Sequence, residues 1–79
     1  MSDVDTFIIQ ALAEEAEYDP EKLTPELLIT DDLGLDSLNL VQLVLDIENE
    51  FEIEMSDEDI ENIKSVQDVI NTVNRKLGV

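Results

Sequence analysis

The sequence has no cysteine, no histidine and no tryptophan. Without cysteine, neither a disulfide nor a thiolate metal site can supplement the core, which fits a reducing compartment. Without histidine or cysteine, most general-base and nucleophile pairs lack a member. Paired carboxylates remain, yet a chain of 79 residues offers little room for a substrate cleft. An intrinsic enzyme is not expected, and any chemistry is expected to travel on a cofactor. No long apolar run is present, and the opening Met-Ser-Asp-Val-Asp lacks a basic leader region. The chain therefore reads as complete, cytoplasmic and without membrane insertion.

Positive charge is equally scarce. Four bases stand against twenty-one acids, for a formal net charge of -17. Such a surface repels nucleic acid phosphates and attracts proteins with basic patches. The same self-repulsion predicts a fold that is marginal at low salt and responds to cations. Asp31, Asp32 and Asp36, and the acids from Glu52 to Glu61, lack the spacing of a calcium loop. Weak, stabilising cation binding is expected there, and no dedicated metal site.

What is present is apolar periodicity. Residues 1–79 read as one globular domain with a hydrophobic fraction of 43%. A first helix is predicted from about Asp3 to Glu17, with Ser2 as cap and Val4, Phe7, Ile8, Ala11 and Leu12 on one face. Asp19-Pro20 ends it. The connection from Tyr18 to Asp36 is long but not featureless. Thr24-Pro25-Glu26 predicts a short turn, and Leu23, Leu27, Leu28, Ile29, Leu33 and Leu35 are expected to pin the segment onto the core. Gly34 supplies permissive backbone.

A second helix is predicted from Asp36 or Ser37 to about Glu50, and a short third one after the cap-like Ser56. The fourth opens at Ser65 and carries Val66, Val69, Ile70, Val73 and Leu77 on one stripe. Arg75 and Lys76 suit its C-terminal dipole end, and Gly78 stops it. Phe51 to Met55 alternates like a strand, but with nothing to pair with it reads as loop. The prediction is an all-α four-helix bundle of three longer helices and one short one, with a long structured loop between the first two.

The second helix carries more apolar surface than one core face needs. With Ser37 at zero on a helical wheel, Leu40, Leu43, Val44, Ile47 and Phe51 fall between about 240° and 340°. Leu38, Val41 and Leu45 fall apart from them, at roughly 40° to 100°, with Gln42, Asp46, Glu48 and Asn49 around them. Either the long loop or the third helix covers this strip, or it is a docking surface with a polar rim. Leu38 itself is expected to pack inward beneath the loop.

Ser37 also has two readings. Serine beside aspartate at a helix start is ordinarily a cap. Gly34-Leu35-Asp36-Ser37-Leu38, however, puts its hydroxyl at a helix mouth, where free N–H groups and the dipole favour an attached phosphodiester. Asp36 would then cap the helix.

At these residues the chain resembles the acyl carrier protein family. Asp32-Leu33-Gly34-Leu35-Asp36-Ser37-Leu38 is similar to that family's attachment motif. The likeness continues through Val41, Leu43-Val44, Ile47-Glu48 and Glu50-Phe51, and through Ser65-Val66-Gln67-Asp68-Val69-Ile70. It implies that a phosphopantetheinyl transferase moves a 4'-phosphopantetheine arm from coenzyme A to Ser37. The arm's thiol would then carry acyl groups as thioesters, for fatty acid, specialised lipid or polyketide synthesis. It further implies a monomer that docks acyl-transferring and condensing enzymes with basic patches. Asn39, Gln42 and Asn49 stand where many fatty-acid carriers have acids, which weakens steering near Ser37. Peptidyl or aminoacyl carriage, or an unmodified acidic interaction module, remain alternatives.

Overall fold

The computed structural model describes residues 3–78, so the expected cap at Ser2 lies outside the described residues. Four α-helices follow in order: α1 Asp3–Ala16, α2 Ser37–Phe51, α3 Asp57–Glu61 and α4 Val66–Leu77. Among the described residues there is no strand, only an isolated antiparallel bridge between Leu28 and Ser65. The all-α bundle of three longer helices and one short helix is what the sequence predicts.

Local chemistry sets each boundary. α1 ends with Glu17 in the left-handed region, φ 53°, and Tyr18 N–H reaching back to Ala13 O at 2.9 Å. Asp19 then caps a 3-10 turn, Pro20–Lys22, accepting Glu21 N–H at 3.0 Å. The turn expected at Pro25 is present as a single hydrogen bond, Leu27 N–H to Thr24 O. The helical turn itself forms five residues earlier, where aspartate before proline offers the same cap chemistry. α3 and α4 open with reciprocal capping boxes, Ser56 with Asp59 and Ser65 with Asp68. Gly78, at φ 80°, closes α4.

The core joins α1, α2 and α4 through Ile8, Leu12, Leu43, Ile47, Val69 and Val73, all essentially inaccessible. Each such side chain contributes about 1.5–3 kcal/mol by leaving water. α1 touches both α2 and α4 and so acts as the shared wall. Thr72 is buried on α4 with its hydroxyl satisfied by donation to Asp68 O at 2.8 Å, whereas Leu77, expected on the core stripe, is about a third exposed.

The long loop is fastened from both sides. Leu23, Ile29, Leu33 and Leu35 are buried as expected, but Leu28 points outward. Its backbone explains why: it sits opposite Ser65, flanked by Ile29 N–H to Lys64 O (2.9 Å) and Val66 N–H to Leu27 O (3.0 Å). The loop thus runs along the start of α4, and its course decides where α2 begins.

Candidate functional site

Ser37 stands at the first helical position of α2 with an exposed side chain. The backbone leading to it is tightly held. Gly34, at φ 70°, donates to Thr30 O (3.1 Å), and buried Leu35 donates to Ile29 O (3.1 Å). Asp32 stabilises the bend before them by accepting Leu28 N–H at 2.7 Å. A side chain other than glycine at position 34 would be strained by that φ.

The cap of α2 belongs to Asp36, not to Ser37. Asp36 Oδ1 accepts Asn39 N–H at 2.9 Å, while Asn39 Oδ1 accepts Asp36 N–H at 3.2 Å. Leu40 N–H closes the first helical bond to Asp36 O at 3.0 Å. Ser37 therefore has no capping task, and the N–H groups of Ser37 and Leu38 face the helix mouth without an intrahelical acceptor. Such a mouth carries partial positive charge and suits a phosphate ester on the neighbouring hydroxyl. The residues present fit a phosphodiester-linked group.

Beside Ser37 lies a strip of exposed apolar side chains. Leu38 is 79% exposed and Val41 and Leu45 are each 48% exposed. The expectation that Leu38 packs inward is overturned. The loop is drawn instead to the start of α4, so that Leu38 stays open while Val41 and Leu45 are about half exposed. Of the polar residues expected around it, Gln42 is exposed and donates to Asp46 Oδ1 at 3.3 Å. Glu48 is half-buried and turned to Met55, accepting its N–H at 2.8 Å. Asn49 and Asp46 line a separate groove of about 600 Å³ against α1, with Phe7, Ala11 and Tyr18. The seven residues anticipated as one face thus divide between the strip, the α3 connection and the α1 groove.

One residue was missed from sequence. Glu15, on α1, accepts a hydrogen bond from Asn39 Nδ2 at 3.0 Å. Twenty-four positions separate the pair, so only the tertiary fold brings Glu15 to the mouth of α2. Far from Ser37, Asp59 of α3 holds both Arg75 (2.9 Å) and Lys76 (2.8 Å) of α4. The Lys76 hydrogen bond, followed by that from Ser56, lowers its carboxyl from 3.8 to about 2.

The comparisons with known proteins agree with this geometry. A family model described as a phosphopantetheine attachment site matches residues 6–73. An acyl carrier protein from Thermosynechococcus vestitus is 42% identical over 67 residues, spanning 85% of this chain and 83% of the relative. Among solved structures, a proposed acyl carrier protein from Mycobacterium tuberculosis superposes with a TM-score of 0.84 at 36% identity, covering 91% of this chain and 96% of that one. An acyl carrier protein from Thermotoga maritima gives 0.79 at 32% identity, covering 92% and 85%.

Proposed function

Because this chain belongs to the acyl carrier protein family and carries that family's phosphopantetheine attachment site, we propose that Ser37 is the attachment residue and that the strip of Leu38, Val41 and Leu45 docks its enzymes. The observation that carries the assignment is the division of labour at the helix mouth. Asp36 performs the capping, so the exposed Ser37 hydroxyl is spared for modification.

When bound, 4'-phosphopantetheine supplies a terminal thiol that holds acyl groups as thioesters, chemistry that a protein without cysteine does not itself contain. The chain's own residues bind and orient. The first-turn N–H groups of α2 would stabilise the phosphodiester, and the hydrogen bonds of Gly34 and Leu35 hold the backbone that leads to Ser37. Asp36 keeps the helix mouth formed without using Ser37 Oγ. Catalysis belongs to the partners: a phosphopantetheinyl transferase, then acyl-transferring and condensing enzymes with basic patches. In this reading the protein is a cytoplasmic monomer serving fatty acid, specialised lipid or polyketide synthesis.

The test is intact-mass analysis after incubating the unmodified protein with coenzyme A and a phosphopantetheinyl transferase. The expected result is the gain of one arm by the wild type and none by Ser37→Ala, with both proteins melting alike. A wild type that stays unmodified while a control carrier is converted refutes the assignment. Loading the modified protein with acyl as opposed to aminoacyl donors then identifies the cargo class.

A further inference from the structure

The first half of α2 is uncharged. From Ser37 to Leu45 there is no acid or base, and the first carboxylate on the helix is Asp46. Nine residues of helix put Asp46 about 14 Å further along the axis. Its Oδ1 already takes a hydrogen bond from Gln42. A basic partner approaching Ser37 therefore meets no anionic side chain on the exposed first turns of the helix itself, apart from the capping Asp36.

A further carboxylate reaches the first turn of α2 from another helix. Asn39 uses both ends of its amide: Oδ1 receives Asp36 N–H, and Nδ2 donates to Glu15 Oε1 at 3.0 Å. These partners fix the amide orientation, since the carboxylate accepts only and the backbone N–H donates only. An aspartate at this position would still accept from Asp36 N–H but would set two carboxylates against each other. The amide is thus more than a charge left out. It orients the Glu15 carboxylate beside the attachment turn. Glu15 is only partly buried. Its single bond from Asn39 leaves lone pairs for a cationic donor.

We infer that Glu15, held by Asn39 across the α1–α2 interface, is the anionic contact that a basic group of the phosphopantetheinyl transferase meets beside Ser37. The inference rests on Ser37 being the attachment residue and adds a second helix to the recognition surface. In this protein α1 thus adds a guiding charge to that of the exposed Asp36, and Asn39 is a positioning residue for it.

Glu15→Gln separates charge from structure, because glutamine still accepts the Asn39 hydrogen bond. With coenzyme A and the transferase at low ionic strength, the KM for this variant is expected to rise roughly three-fold, with kcat unchanged. Its melting temperature should match that of the wild type. The difference should close near 0.5 M salt, where screening acts within a few Å. The double variant Glu15→Gln/Asn39→Asp moves the carboxylate to α2, keeps the net charge and reverses the donor and acceptor. It should recover a near-wild-type KM and its salt dependence. An unchanged KM for Glu15→Gln at low salt, while Ser37→Ala abolishes transfer, overturns this inference and leaves the attachment assignment standing. So does a KM increase that is independent of salt. Failure of the wild type to be modified overturns both.

Discussion

Phe7 of α1 and Phe51 of α2 meet edge to face, with ring centroids 5.3 Å apart and planes at 83°. Two half-buried rings in this arrangement gain from quadrupole attraction as well as burial. Phe51 is also the last residue of α2, so the contact holds the end of the helix distant from Ser37 against α1. Phe51→Ala is expected to lower stability by about 2–3 kcal/mol, less than for a fully buried ring. A double-mutant cycle with Phe7→Ala, followed by urea unfolding, should return a coupling of about 1 kcal/mol. Additive losses would show that the rings are merely adjacent.

Asp59 gives α3 its attachment to α4. The short helix buries none of its own residues fully, yet it receives two of the protein's four basic side chains. The Asp59 side chain is only 13% exposed beneath them. A carboxyl lowered from 3.8 to about 2 in the folded state binds protons less readily there than in the unfolded chain. Its stabilisation is therefore complete above the ordinary carboxyl value and lost as pH falls through about 2. Asp59→Asn should melt below the wild type at neutral pH, and the gap should narrow between about pH 4 and pH 2. Comparing the two proteins cancels the general relief of repulsion as other acids protonate. A gap constant across that range would show that the ion pairs are not its source.

The overall charge makes a separate demand. At 0.01 M salt the screening length is about 30 Å, comparable to the longest dimension of the fold, 28 Å. Every carboxylate then acts on every other. At 0.15 M the length is about 8 Å, and only neighbours interact. Raising sodium chloride between these limits should lift the melting temperature by about 5 °C for each kcal/mol of repulsion removed. Among the described residues no cluster of three or more acids is arranged to hold a metal ion. Magnesium should therefore act by screening, with a graded rise and no one-to-one saturation in calorimetry. A saturating isotherm would point to a formed site.

Helix boundaries were legible from sequence because caps are short-range. Asp36, Ser56 and Ser65 each meet a partner three residues away, and Gly34 and Gly78 adopt the positive φ that their placement suggests. The direction of Leu38 was not legible. A helical wheel gives its angle around α2 but not whether a loop lies over it, and the bridge from Leu28 to Ser65 that draws the loop aside joins residues far apart in sequence. In the sequence Asn39 shows only as a charge missing from α2. Its bond to Glu15 depends on how α1 packs, which no local pattern encodes.

The exposure of Leu38 makes a final prediction that separates folding from docking. A leucine at 79% exposure adds little to the core, so Leu38→Ala should change stability by no more than about 0.5 kcal/mol. The same truncation one residue from Ser37 removes apolar area that a partner would bury, at about 25 cal/mol per Å². Transfer of the arm, or of an acyl group onto it, should therefore slow through a higher KM. Because no charge is altered, the defect should persist at high salt, unlike that of Glu15→Gln. Ile47→Ala, at a fully buried position on the opposite face, should do the reverse and cost about 2–5 kcal/mol of stability. If Leu38→Ala lowers the melting temperature as Ile47→Ala does, the side chain packs inward in solution and the strip is no docking surface.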